Sequence, residues 1–134
     1  MNLRPQERSL LYASYLEIAA AGSELTTLFY NRLFELNPSF RLLFKTPIQD
    51  QGIKWRMMLN IILVAIDEPA RLKKSLREMG QRHASYGVKT EDYFLFTEAV
   101  LWAIQKYLST RFTPEIETIW RKLFAFIVEE ATSA

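Results

Sequence analysis

Every proline in this chain stands where a helix is about to begin. There are five, Pro5, Pro38, Pro47, Pro69 and Pro114. Proline fixes its own φ near the helical value and lacks the N–H that the first turn leaves unbonded, so it is welcome at a helix start and disruptive inside one. Three of the five follow a residue whose side chain can cap a helix: Asn37-Pro38, Thr46-Pro47 and Thr113-Pro114. Between these marks the apolar residues recur with a period near 3.6, and the two-residue alternation of a strand is missing. The chain is therefore predicted to be all-α.

The punctuation gives an element order. A first helix runs from Pro5 to about Ala20, with Leu11, Tyr15 and Ile18 inward. A second starts at Gly22 or Ser23 and runs to about Leu36, with Leu25, Leu28, Phe29, Leu33 and Phe34 on its apolar face. Asn37-Pro38 opens a short helix whose inner face is Phe40, Leu43 and Phe44. Thr46-Pro47 opens a long one to about Ile66, and Asp67-Glu68-Pro69 opens the next. Thr90 is expected to cap a helix running to about Ser109, with Glu91 and Asp92 in the first turn, where the helix dipole favours anions. Thr113-Pro114-Glu115 opens the last, to about Glu130, with Ile119, Leu123, Phe126 and Ile127 buried. Six substantial helices and one short one, joined by brief turns, must pack at steep or antiparallel angles.

Composition removes several classes of function. The length of 134 residues suits one domain, 1–134, with a real core. Basic and acidic residues number 17 and 15, scattered along the chain. That leaves no concentrated basic stripe of the kind nucleic-acid binders carry. There is no cysteine, hence no disulfide, no thiolate zinc or iron–sulfur site and no thioether-linked tetrapyrrole. The polar N-terminus does not resemble a secretory signal. The longest apolar run, residues 57–66, is too short to span a bilayer. A cytoplasmic location without membrane contact is expected.

One side chain stands out chemically. His83 is the sole histidine, and Leu76, Met79, Gly80 and His83 share one helical face that is apolar apart from the imidazole. The helix is expected to end just past it, with Gly87 taking a left-handed cap. A neutral imidazole on such a face suits a haem iron. It suits equally a core histidine bonded to a carbonyl, or a surface one. The 13% aromatic content fits a helical core and also a flat conjugated ligand.

Four blocks taken together carry a resemblance. They are Leu28-Phe29-Tyr30-Asn31-Arg32-Leu33-Phe34, Leu43-Phe44-Lys45-Thr46-Pro47-Ile48, residues 80–88 around His83, and Tyr93 followed by Leu101-Trp102-Ala103-Ile104. In this order and spacing the chain resembles the bacterial single-domain haemoglobins and the globin part of flavohaemoglobins, over about residues 5–131. The resemblance implies a globin fold, three helices over three, and a haem b (iron protoporphyrin IX) cofactor. The full first helix argues against the shortened two-over-two globins.

The family pattern implies roles for particular residues. His83 matches the proximal iron ligand. Phe44 matches the phenylalanine that packs on the porphyrin, and Gln51 and Tyr30 match the distal glutamine and tyrosine. Trp55, one turn after Gln51, would overhang the distal pocket, either crowding the sixth site or merely filling space. Met79 should touch the proximal porphyrin face and Val88 its edge. Tyr93 matches a proximal tyrosine. Arg82 and Lys54 are candidate partners of the haem propionates. With a Tyr/Gln distal pair the resemblance implies a five-coordinate haem that binds oxygen and other diatomic gases tightly. A second implied activity is conversion of nitric oxide to nitrate, for which a separate reductase would be needed. The glutamate that supports the proximal histidine in flavohaemoglobins would fall past residue 134, and Glu129 and Glu130 fall earlier. A gas sensor and a haem-free helical module are the remaining classes, and the presence of His83 argues against the last.

Overall fold

The computed structural model describes residues 1–43 and 48–133, with the side chains of all of these except 43 and 48–55. Among the described residues seven α-helices follow one another: α1 (Pro5–Ala19), α2 (Ser23–Leu36), α3 (Phe40–Leu43), α4 (Ile48–Asp67), α5 (Pro69–Ser85), α6 (Thr90–Leu108) and α7 (Pro114–Thr132). A single 3-10 turn, Ser109–Arg111, separates the last two.

Most starts lie where the prolines put them. Pro5, Pro69 and Pro114 occupy the first turns of α1, α5 and α7. Thr113 caps α7 by accepting the Ile116 N–H at 3.3 Å. Three boundaries differ from expectation. Asn37 and Pro38 form a turn, in which the Asn37 side chain accepts the Ser39 N–H at 3.0 Å, and α3 begins only at Phe40. Thr90 is not a cap but the first residue of α6; the start is bonded instead by the Asp92 carboxylate, which accepts the Lys89 N–H at 2.8 Å. α7 continues to Thr132, two residues beyond the expected end. The Thr46-Pro47 start and Phe44 lie outside the described residues.

α7 is the spine. Its stripe of Ile119, Trp120, Leu123, Phe124, Phe126 and Ile127 is buried. α1 and α5 lie against it, α4 packs on α1 and α5, and α2 runs along α6. From α1, Leu11, Tyr15 and Ile18 enter the core as expected. In α2, Leu25, Phe29, Tyr30 and Leu33 are buried while Leu28 and Phe34 are half-buried. Burial of each such aliphatic or aromatic side chain is worth roughly 1.5–3 kcal/mol.

Two polar contacts within this apolar interior join α1 to α7. Trp120 is 0% exposed, so its indole N–H cannot reach water; it donates to Ser14 Oγ at 2.9 Å. The Ser14 hydroxyl donates in turn to the Leu10 and Leu11 carbonyls. Near the start of α1, the buried Glu7 carboxylate accepts from Lys122 Nζ at 2.9 Å and from the Arg4 backbone N–H at 3.1 Å. These bonds, that from Lys122 foremost, hold its pKa down at about 2 from an ordinary 4.5.

Two outcomes follow from these links. Ser14→Ala strands the buried indole N–H and should lower stability by about 1–3 kcal/mol in denaturant melts. For Glu7 the folded pKa lies below the unfolded one. Its stabilising effect is therefore complete above about pH 4.5 and is lost as pH falls towards 2. Glu7→Gln should melt below the native protein at pH 7, and the gap should close near pH 2. A gap independent of pH would show that the carboxylate charge is not what matters.

Candidate functional site

α5 is amphipathic. Leu72, Leu76 and Gly80 are buried, Met79 and His83 are half-buried on the same side, and the other face is charged. His83 lies in the last turn. Its Nδ1 is 2.8 Å from the Met79 carbonyl oxygen one turn earlier. A carbonyl only accepts, so Nδ1 must carry the proton and donate it. The lone pair of a neutral ring is then at Nε2, the nitrogen turned away from the helix. This is the arrangement by which proteins fix the tautomer and direction of a metal-binding histidine.

The end of α5 is closed firmly. Gly87 takes φ +93°, the left-handed conformation expected of it. The Val88 N–H donates to the His83 carbonyl at 3.0 Å and the Gly87 N–H to the Ala84 carbonyl at 3.1 Å. These are the paired six-to-one and five-to-two bonds of a Schellman cap. They bring Val88, half-buried, back beside His83.

α6 supplies the next wall. The Tyr93 ring centroid lies 6.4 Å from that of His83, and the Tyr86 ring is at the same distance on the exposed side. The Tyr93 hydroxyl is buried and has no hydrogen-bond partner among the described residues, and burial pushes its pKa up. One turn along α6, Phe96 meets Phe29 of α2 edge-on at 4.9 Å. Tyr30 follows Phe29. It is 8% exposed, with its ring 4.7 Å from Phe29 and stacked 6.1 Å from Phe34. Burial pushes its pKa up to about 12, so its hydroxyl stays protonated, and thus a donor, at any physiological pH.

Among the residues singled out in the sequence, His83, Met79, Val88 and Tyr93 thus come together at the α5–α6 corner. Tyr30 stands on α2 beside Phe29, which meets Phe96 of α6. Arg82 is exposed beside His83. Gln51, Lys54 and Trp55 belong to α4, and their side chains, like Phe44 as a whole, lie outside the described residues. Sequence reasoning missed Phe96 and Tyr86. Each stands three residues from a chosen aromatic or histidine, at Tyr93 and His83, and that spacing was the available signal. Among the described residues no group of three or more histidine or carboxylate side chains could hold a metal ion, and no helix is long and apolar enough to cross a membrane.

Comparison with known proteins bears on the family and the fold. The Globin family model matches residues 27–131. The flavohemoprotein of Rhodopirellula baltica is 30% identical over 115 residues, 84% of this chain and 28% of that protein. The flavohemoprotein of Bacillus subtilis is 27% identical over 81% of this chain and 28% of its own length. That of Chromobacterium violaceum is 26% identical over 95% and 32%. The chain therefore spans under a third of the length of these relatives. A carbon monoxide form of haemoglobin from Mustelus griseus superposes with a TM-score of 0.82. It covers 99% of this chain and 100% of its own at 17% identity, a likeness of fold.

An unpaired buried hydroxyl costs more than it returns. Tyr93→Phe should raise the stability of the ligand-free protein, by up to about 1–3 kcal/mol in thermal or denaturant melts. A marked loss of stability would mean that the hydroxyl has a protein partner.

Proposed function

The chain belongs to the globin family, and from that membership we propose that it binds haem b at the corner of α5 and α6, with His83 as the one iron ligand. The observation that carries the reading is the His83–Met79 bond, which holds the proton at Nδ1 and leaves Nε2 to ligate. The surroundings fit the group. Met79 and Val88 give an apolar border, and the Tyr93 hydroxyl is a buried polar atom without a hydrogen-bond partner among the described residues. Haem, when bound, supplies an iron with one coordination position open to a diatomic gas.

The chain's own residues set how that gas is held. Tyr30 is a buried donor on α2 and, with Gln51 of α4, forms the proposed distal pair. A hydrogen bond from a neutral donor to a strongly polarised acceptor in a dry pocket is worth roughly 1.5–3 kcal/mol, about tenfold to over a hundredfold in dissociation rate. Arg82, exposed beside His83, and Lys54 are the proposed partners of the propionates, and Phe44 the proposed packing partner of the porphyrin. The proposed function is reversible, high-affinity binding of oxygen. A second reading, favoured by the flavohemoprotein relatives, is consumption of nitric oxide by the oxygenated protein. It requires an electron donor outside the matched stretch.

The test is an absorption spectrum of the ferric, reduced and air-exposed protein beside His83→Ala. A Soret band that moves with each state and is altered in the variant is expected; no Soret band after haem addition sinks the assignment. Tyr30→Phe should release oxygen about tenfold to over a hundredfold faster in stopped flow. An unchanged rate would remove Tyr30 from the distal pair. Rapid loss of the oxygenated spectrum on adding nitric oxide would favour the second reading.

A further inference from the structure

Gly80 is in the wrong place for a glycine, unless something needs its missing side chain. It sits well inside the 17-residue α5, where glycine is the poorest former after proline. Its φ is not positive, unlike those of Gly22 and Gly87, so no backbone conformation demands it. The demand comes from α7. A Cβ on Gly80 would stand 1.6 Å from the Ala131 carbonyl oxygen and 2.6 Å from its carbonyl carbon. Both atoms are backbone, so no rotamer relieves the overlap. Ala131 lies in the last turn of α7, where carbonyls have no partner within the helix.

One turn earlier on α5, Arg77 Nη2 is 3.4 Å from Glu130 Oε2 of the same α7 turn. That carboxylate oxygen is buried and has no hydrogen-bond donor among the described residues, so Arg77 meets it by charge alone. Two successive positions of α5, 77 and 80, are thus seated on two successive residues of α7, 130 and 131. His83 is the next position in that series. The carbonyl that orients its ring belongs to Met79, the neighbour of Gly80.

Resting on the haem assignment above, we propose that Gly80, supported by Arg77, is a positioning residue for His83, seating α5 on the last turn of α7 and so fixing the height and tilt of the imidazole. With alanine at position 80 the helices must part from 1.6 Å towards the 3.4 Å at which ordinary contact begins. The movement carries both the His83 backbone and the Met79 carbonyl that aims its ring.

The test compares Gly80→Ala and Arg77→Gln with the native protein. Ser14→Ala serves as a control that weakens the fold at the α1–α7 contact. Two quantities are read: the iron–histidine stretching frequency of the reduced, ligand-free protein by resonance Raman, and the rate at which haem passes to an excess of apomyoglobin. Gly80→Ala is expected to shift the stretch and to release haem at least tenfold faster. Arg77→Gln should shift the stretch less in the same direction, and Ser14→Ala should lower the melting temperature without moving it. A stretch and release rate unchanged in Gly80→Ala, or an equal shift in Ser14→Ala, would overturn the inference. If Gly80→Ala does not fold, Arg77→Gln decides, since Arg77 is half-exposed and glutamine introduces no overlap with α7; no shift there counts against the proposal. A native protein with a normal Soret band and unmoved variants removes only the role of Gly80. A native protein with no Soret band removes the haem assignment and this inference with it.

Discussion

The apolar stripe of α7 is the constraint on which the other helices depend. α1 and α5 both close on it, and α4 packs on both of them as well as on α7 itself. A stripe this apolar is adhesive without being specific, because dispersion and hydrophobic burial have little directionality. Direction comes from the few polar or shape-restricted contacts embedded in it. The buried Trp120 indole N–H donates to Ser14 Oγ, whose own proton is turned to the α1 carbonyls of Leu10 and Leu11, so donor and acceptor are both used. Glu7 does the same for the beginning of α1 through Lys122. At the other end of α7 the restriction is steric: α5 comes as close as a glycine allows.

The candidate site is placed by this scaffold and not by loops alone. His83 is carried on a helix packed against α7, turned by a carbonyl of its own helix, and bordered by Tyr93 from α6. Tyr30 arrives on α2, which is held to α6 by the edge-on contact of Phe29 with Phe96. A site whose residues come from packed helices is held more rigidly than one built on loops. The chemistry asked of each residue is modest. An imidazole must present one nitrogen, and a phenol must remain protonated.

Much of this was legible in the sequence, because its signals are local. Proline at a first turn, threonine before it and glycine in a left-handed cap are rules about a few neighbouring residues, and they placed α1, α5 and α7 and the end of α5. Where two local rules competed, the weaker was chosen: Thr90 looked like a cap, but the carboxylate of Asp92 reached the Lys89 N–H first. The 3-10 turn at Ser109–Arg111 carried no such signal, since no glycine supplies the positive φ that Ser109 adopts. The contact of Gly80 with Ala131 joins residues about fifty positions apart, and nothing in a single sequence couples them. Roles for Tyr30, Val88 and Tyr93 came from the family pattern, because a buried aromatic or aliphatic residue looks the same from composition whether it packs on a neighbour or on a ligand.

The Schellman closure of α5 has a bearing on time as well as on shape. A helix opens from its ends, and terminal turns exchange between ordered and frayed forms far faster than the middle of a helix. His83 occupies such a terminal turn, two residues from the end of α5. By looping Val88 back to the His83 carbonyl, the chain makes His83 the anchor of the closure instead of its loose edge. Opening the α5–α6 corner and displacing the His83 ring then become one event, so the direction in which the imidazole points lasts as long as a single turn of backbone.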